Sequence, residues 1–115
     1  MKNFEYHNKQ VKRLNIDPSK LVIDRNGSHE LSDVVMSGEM NFFDENSLIA
    51  QPDGVLFGKY GDVYVFEYKI RGNRRRARVQ LLTAFEHLRK HMGVRARLFY
   101  VSGRFPGYKT EEVLP

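Results

Sequence analysis

Residues 51–69, which read QPDGVLFGKYGDVYVFEYK, limit the folds open to this chain more than any other stretch. The segment 63–69, VYVFEYK, is rich in β-branched and aromatic residues, which is the composition of a β-strand. Side chains alternate along a strand, so Glu67 and Lys69 project from the same face. A glycine-rich turn precedes this strand, and a hairpin there would bring Asp53 towards Glu67.

Two carboxylates and an ammonium at the end of a strand have a clear chemical use. Magnesium prefers hard oxygen ligands and is typically held by one or two carboxylates. A bound divalent ion lowers the pKa of water and offsets charge on phosphate, and a nearby lysine can stabilise negative charge. The simpler alternative is a surface ladder of Glu67 and Lys69, with Asp53 only capping a turn after proline.

The pattern resembles the PD-(D/E)XK nuclease superfamily. Pro52-Asp53 matches the first half of its motif and Glu67-Tyr68-Lys69 the second, with thirteen residues (54–66) between them. The resemblance implies that Asp53, Glu67 and the Tyr68 carbonyl hold Mg²⁺, for which Mn²⁺ substitutes. It also implies that Lys69 positions or activates the attacking water.

The same resemblance implies an α/β, restriction endonuclease-like fold. Its α-β-β-β-α-β core has a mixed central sheet flanked by helices. The match covers about residues 28–102 of a single nuclease-like domain, 1–115. The archaeal Holliday-junction resolvases, which are small members of the superfamily, act as dimers, and this analogy suggests a homodimer.

Further site residues are implied by position. Many relatives carry an acidic residue on the helix before the sheet, for which Glu30 is the best match, followed by Glu5 and Glu39, with Asp33 a further candidate. RecB-like nucleases place a glutamine on the helix after the motif, which matches Gln80; their tyrosine four residues later is replaced here by Ala84. Each acid could equally be a favourable charge in a first helical turn, and Gln80 a surface residue.

An arginine cluster follows the motif. It comprises Arg71, Arg74, Arg75, Arg76 and Arg78. Arginine binds phosphate in a bidentate fork, and such contacts give affinity without sequence information. Basic residues oppose the dipole at a helix N-terminus, which favours a functional role for them. The competing interpretation is that these arginines are solvated charges at the start of a helix.

Charge and composition support a polyanion as partner. The net charge is +5; residues 1–53 carry six Lys/Arg against nine Asp/Glu, whereas residues 54–115 carry thirteen against five. A basic half suits nucleic acid, here DNA, although soluble surfaces are charged as well. The chain has no cysteine, which excludes disulfides and thiolate metal sites. Without an apolar span or signal-peptide pattern, we expect a cytoplasmic protein that is not bound to a membrane.

Hydrophobic periodicity predicts the elements. We expect a helix over residues 1–15, two helical turns over 28–36, strands at 40–43, 47–57, 61–70 and 94–102, a helix at 74–92 ended by Gly93, and a loop-like tail at 103–115. The last strand should run parallel to the strand before the helix. His87 and His91 have the spacing of a metal pair, but without an apparent third ligand solvated histidines are favoured.

The function predicted from these features is a Mg²⁺-dependent nuclease that hydrolyses DNA phosphodiester bonds. A short chain leaves little room for a separate specificity domain, so recognition of DNA shape or ends is favoured over a long base sequence. Two alternatives stay open: a non-catalytic nucleic-acid-binding protein on the same fold, and a basic interaction or scaffold domain.

Overall fold

The computed structural model describes residues 2–16, 34–59, 61–69, 74–104 and 107–115. It contains two helices, α1 (Lys2–Ile16) and α2 (Arg74–Met92). The strands are β1 (Val34–Gly38), β2 (Phe42–Asp44), β3 (Ser47–Ala50), β4 (Gly54–Gly58), β5 (Val63–Tyr68), β6 (Arg97–Ser102) and β7 (Lys109–Val113). No helix in these ranges is long and apolar enough to cross a bilayer.

The main sheet has five strands in the order β1-β4-β5-β6-β7. Its β5–β6 pair is parallel, and the β1–β4, β4–β5 and β6–β7 pairs are antiparallel. Helix α2 connects the two parallel strands, as a crossover requires. Strands β2 and β3 form a separate two-stranded hairpin, inserted between β1 and β4.

Each face of the sheet is covered by one helix. Val11 and Leu14 of α1 pack in a cluster with Phe66, on one face of β5. Leu81 and Phe85 belong to the cluster on the opposite face. Successive residues of β5 point to opposite faces of the sheet, and all six are buried. Five of them belong to the two apolar clusters, and the sixth is Glu67.

Several expectations are confirmed. The protein is α/β with a mixed central sheet and helices, which is compatible with a restriction endonuclease-like fold. The order α-β-β-β-α-β recurs in α1, β1, β4, β5, α2 and β6, but its first helix and first strand are not the predicted ones, because residues 34–38 supply the first strand and the segment at 40–43 enters the separate hairpin. The helix at 74–92 forms with the predicted bounds. Gly93 follows it at φ 65°, the left-handed conformation that ends helices, and its N–H donates to the Arg89 carbonyl. The β4–β5 turn forms as predicted.

The helix predicted over 28–36 is wrong for its last three residues, which belong to strand β1; residues 28–33 lie outside the described ranges. A short apolar run fits a helix or a strand equally well by periodicity. What decided between them is the free edge of β4, to which β1 pairs from Val34 to Gly38.

The single strand predicted over 47–57 is also wrong, because the chain leaves the ladder at Gln51–Asp53 and divides it into β3 and β4. Pro52, which has no N–H to donate, is fully buried at this break. The strands predicted at 40–43 and 94–102 begin later, at residues 42 and 97.

The tail predicted as a loop contains strand β7, which closes the sheet beside β6. Glu112 accepts two hydrogen bonds from the guanidinium of Arg97, each 2.9 Å, across this pair. The charged sequence KTEEV hid the strand, because charge is typical of an exposed edge that must not pair with another chain.

Gly54 shows how tightly the start of β4 is packed. A Cβ atom there would lie 2.0 Å from Cε1 of Phe66 and 2.7 Å from Oδ1 of Asn15. We expect Gly54→Ala to lower the free energy of unfolding by about 3 kcal/mol. Gly38→Ala is the matched control, since its Cβ would meet nothing within 4 Å. Urea denaturation measures both; equal stabilities would contradict the packing described.

Candidate functional site

The candidate site lies where β4 begins and β5 ends. The antiparallel register pairs Gly54 with Phe66, so the residues just outside this pair, Asp53 and Glu67, lie opposite each other. Glu67 is 4% exposed, which is exceptional for a carboxylate without an arginine partner. The structure therefore brings the two predicted acids together, although thirteen residues separate them in the chain.

Two reciprocal hydrogen bonds join these residues. The Asp53 N–H donates to Oε1 of Glu67 at 2.9 Å, and the Tyr68 N–H donates to Oδ2 of Asp53 at 2.8 Å. Each carboxylate is thus held by the backbone of the opposite strand. This arrangement, which we call the carboxylate clasp, fixes both side chains through main-chain N–H groups.

Lys69 places its ammonium beside the clasp. Its N–H donates to the Val101 carbonyl at 2.9 Å, so the backbone still follows the β6 ladder beyond the end of β5. Its Nζ lies 3.9 Å from Oε2 of Glu67, and the side chain is 24% exposed. The ammonium is therefore near both the buried carboxylate and solvent.

Burial dominates the electrostatics of the clasp. Burial, together with the neighbouring charge of Asp53, raises the pKa of Glu67 to about 8 against the opposing effects of the Asp53 N–H and Lys69. Burial also raises the pKa of Asp53, although the Tyr68 N–H, His7 and Lys69 all act to lower it. Two neighbouring carboxylates that are shielded from solvent need a bound cation or a proton to offset their negative charge.

His7 also belongs to this site, although no sequence pattern related it to Asp53 or Tyr68. Its Nε2 lies 3.0 Å from the Tyr68 carbonyl oxygen and 3.3 Å from Oδ2 of Asp53. A carbonyl can only accept a hydrogen bond, so Nε2 donates in this arrangement. The imidazole therefore contacts two of the three groups that the resemblance assigned to the metal.

Asn15, also on α1, holds the backbone of the site. Its side-chain Nδ2 donates to the Asp53 carbonyl at 3.0 Å, and its main-chain carbonyl accepts a hydrogen bond from the Ser37 hydroxyl. Its Oδ1 is buried and has no hydrogen-bond partner among the residues that the structure describes. Asn15 and His7 are eight residues apart on the helix, and neither was predicted as a site residue.

Gln80 lies close to the site but acts on its backbone. Its Oε1 accepts a hydrogen bond from the Gln51 N–H at 3.1 Å, two residues before Asp53. Helix α2 thus holds the segment that leads into the clasp. The catalytic role suggested for Gln80 stays a prediction.

Four acidic residues were candidates to complete the site, and the structure describes two of them. Glu30 and Asp33 lie outside the described ranges. Glu5 is exposed on α1. Glu39, in the loop after β1, is near enough for its charge to raise the pKa of Asp53.

The arginine cluster divides into two groups. Arg74 forms an ion pair with Glu111 and lies over the ring of Tyr100, at 5.3 Å from its centroid. Arg78 donates to the Leu114 carbonyl at 3.2 Å. These two residues therefore contact the C-terminal segment, and Arg75 and Arg76 lie between them on α2; all four are exposed. Arg71 lies outside the described ranges.

The donor set of the clasp fits a hard divalent cation. Two carboxylates and the Tyr68 carbonyl offer only oxygen, and their burial leaves negative charge to be compensated. In the part of the chain that the structure describes, no group of three or more His, Cys, Asp and Glu side chains is placed to hold a metal. The fit is therefore to an ion that keeps several waters, as Mg²⁺ does.

His87 and His91 show no third metal-ligating side chain within the described residues either. The ring of His87 stacks on Phe42 with a centroid distance of 4.9 Å, and the ring centroids of His87 and His91 are 4.4 Å apart. Burial and the neighbouring His91 lower the pKa of His87. His87 therefore packs against Phe42 while its ring stays partly exposed.

The fold and site together define an α/β protein with a mixed sheet and a buried pair of carboxylates beside a lysine. No family model matches the chain, and no curated protein matches it. Among solved structures it is similar to a complex of EndoMS with double-stranded DNA, at a TM-score of 0.47 and 20% identity. The match covers 77% of this chain and 32% of that one. We therefore base the functional interpretation on the site alone.

Proposed function

We propose that this protein is a metal-dependent nuclease of the PD-(D/E)XK type that hydrolyses DNA phosphodiester bonds. The carboxylate clasp is the observation that carries this proposal. A structural role alone does not require a buried carboxylate, Glu67, next to a partly buried one, Asp53, since burial disfavours the charged form of both and outweighs their backbone hydrogen bonds in raising each pKa.

Asp53, Glu67 and the Tyr68 carbonyl would hold Mg²⁺, or Mn²⁺ in its place. The ion, when bound, supplies an acidified water and compensates charge on the phosphate. The protein's own contribution is to hold the two carboxylates in place through the Tyr68 and Asp53 N–H groups. A preorganised arrangement of this kind needs little rearrangement during reaction.

Lys69 has the position of the group that stabilises developing negative charge. Its ammonium is partly exposed and therefore accessible to a phosphate oxygen, while Glu67 holds it from the protein side. His7, on α1, contacts Asp53 and the Tyr68 carbonyl, and its Nε2 can donate a hydrogen bond. We assign Lys69 to the reacting phosphate and His7 to the orientation of Asp53.

The test of this function is a cleavage assay of the full chain. Linear, branched and single-stranded DNA are incubated with Mg²⁺, with Mn²⁺ and with a chelator, at low salt. We expect cleavage with either metal and none with chelator. Intact DNA under both metals, with DNA binding retained, would refute the nuclease.

A non-catalytic DNA-binding protein is the second candidate, and one observation favours it. His7 already satisfies Asp53 and the Tyr68 carbonyl without a metal. On this alternative, calorimetric titration with Mg²⁺ or Mn²⁺ would show no binding that depends on Asp53. On the nuclease proposal, Asp53→Asn abolishes the metal-binding heat.

DNA binding should depend on Arg75 and Arg76, which are adjacent at the start of α2. We expect Arg75→Gln with Arg76→Gln to weaken DNA binding and to reduce the slope of log K against log salt by about 1 to 2, as the loss of phosphate contacts predicts. Fluorescence anisotropy over a salt series measures this slope.

The matched control is Arg74→Gln with Arg78→Gln, which removes the same charge from residues engaged with the C-terminal segment. It should change the slope less. If both pairs change it equally, only net charge matters and the phosphate contacts assigned to Arg75 and Arg76 are wrong.

A further inference from the structure

The charge of helix α1 differs from that of the half of the chain to which it belongs. Residues 1–53 carry six Lys/Arg against nine Asp/Glu, whereas α1 itself carries four bases and one acid. Three of these bases, Lys9, Lys12 and Arg13, are exposed. The DNA contacts predicted from the sequence all lie in the arginine cluster after the motif. A basic helix in the other half of the chain therefore needs an explanation of its own.

Two side chains place α1 beside the carboxylate clasp. His7 contacts Oδ2 of Asp53 and the Tyr68 carbonyl, and Asn15 donates to the Asp53 carbonyl. These two helical residues are eight positions apart, so α1 follows the clasp for about 12 Å. Lys12 lies within this interval, three residues before Asn15.

The periodicity of α1 determines the side of the helix on which Lys12 lies. Asn8, Lys12 and Asn15 are spaced i, i+4 and i+7, so they share one side. From this side Asn15 reaches the Asp53 backbone, and Oδ1 of Asn8 lies 3.3 Å from Nδ1 of His7. Lys12 is exposed, and its ammonium therefore extends into solvent from the side of α1 that borders the clasp.

The neighbouring residues on α1 do not balance the charge of Lys12. The four positions three or four residues away from it carry no acid: they are Asn8, Lys9, Asn15 and Ile16. Lys9, by contrast, follows Glu5 by four residues, the spacing at which opposite charges on a helix attract each other. Lys9 thus has an acid of its own helix beside it, whereas Lys12 has none at these positions.

A phosphate that approaches the clasp meets negative charge. Asp53 and Glu67 form the clasp, and the charge of Glu39 acts on Asp53 from the loop after β1. These acids would repel a DNA backbone unless bases flank them. Lys69 is one such base, and the arginines of α2 begin five residues after it. Helix α1 packs on the opposite face of the sheet from α2, so Lys12 supplies a base on the face that α2 does not cover.

We propose that Lys12 binds a phosphate of the DNA backbone beside the clasp, so that α1 forms a second DNA contact surface across the sheet from the arginines of α2. The ligand is the phosphodiester backbone, because an ammonium binds phosphate as a point charge and such contacts carry no sequence information. The inference rests on the proposed function in taking DNA as the substrate, but it does not require that the clasp cleaves DNA.

DNA binding by the full chain in the presence of chelator tests this contact separately from metal binding and cleavage. Fluorescence anisotropy is measured over a salt series with two duplexes of unrelated sequence. We expect Lys12→Gln to reduce the slope of log K against log salt by about 0.9, the value for one phosphate contact, and to weaken binding of both duplexes by the same factor. Lys12→Arg keeps the charge and should restore the wild-type slope.

Lys9→Gln serves as the control, since it removes the same charge from an exposed position of the same helix that has Glu5 beside it. It should change the slope much less. Equal changes in Lys9→Gln and Lys12→Gln, or a wild-type slope in Lys12→Gln, overturn the inference. A wild type that binds neither duplex at low salt overturns it together with the DNA substrate of the proposed function. Binding that depends on Lys12 in a protein that does not cleave DNA supports the contact and refutes only the nuclease.

Discussion

Glu67→Gln and Lys69→Met should each abolish DNA cleavage while leaving DNA binding intact. Glutamine keeps an acceptor for the Asp53 N–H, so the clasp geometry survives and only the charge is lost. Methionine keeps the length of the lysine stem but removes the ammonium that lies 3.9 Å from Glu67. We expect the single-turnover rate to fall by about 10²–10⁴-fold in each variant, the range for loss of a charge-stabilising or proton-transfer group.

Cleavage of labelled DNA measures the rate, and anisotropy measures the affinity. Glu86→Gln and Lys109→Met are matched controls, because both residues are exposed and lie away from the clasp. The controls should cut at the wild-type rate. Undiminished turnover in Glu67→Gln or Lys69→Met would remove that residue from the catalytic assignment, whereas joint loss of binding and cleavage would show that the substitution acts on DNA affinity.

The metal-free protein should become less stable as the pH rises from about 4.5 to about 8. Burial, with the charge of Asp53, raises the pKa of Glu67 from its ordinary 4.5 to about 8 in the folded state. Between these values the folded state keeps a proton that the unfolded chain has lost, so raising the pH favours unfolding. The loss should reach a few kcal/mol in the free energy of unfolding. Asp53, whose pKa is also raised, acts in the same direction.

Urea denaturation at a series of pH values, with chelator present, measures this dependence. Glu67→Gln should flatten it, and at pH 8 the variant should be more stable than the wild type. Glu86→Gln, which changes an exposed carboxylate, should follow the wild-type curve. Adding Mg²⁺ at pH 8 should stabilise the wild type but not Glu67→Gln. A wild-type stability that rises with pH over this window would contradict the buried carboxylate pair.

The elements that the sequence predicted well are those whose packing repeats along the chain. Helix α2 buries Ala77, Leu81, Ala84, Phe85 and Leu88, and this spacing is visible in the sequence because one face meets one sheet. Strand β5 is buried on both faces, which requires the apolar and aromatic run that marked it as a strand. The hairpin with β4 followed from the glycines at its turn.

The site was predictable where it depends on one hairpin. Asp53 and Glu67 meet because antiparallel pairing relates two positions through a short turn. His7 was missed because its contact with Tyr68 spans 61 residues, and no local pattern relates helix α1 to the end of β5. The contacts of Arg74 and Arg78 were missed for the same reason. These residues contact β7 and the residue after it, a segment predicted as a loop.

The sequence alone determined the mixed α/β architecture, helix α2 and the pairing that brings Asp53 to Glu67, because each depends on local periodicity or a single turn. The tertiary structure alone decided that residues 34–38 form an edge strand, that β7 closes the sheet and that His7 and Asn15 enter the site. These outcomes depend on which strand edges and helix faces were available for pairing and packing. Such availability is a property of the whole assembled chain, and short stretches of sequence do not encode it.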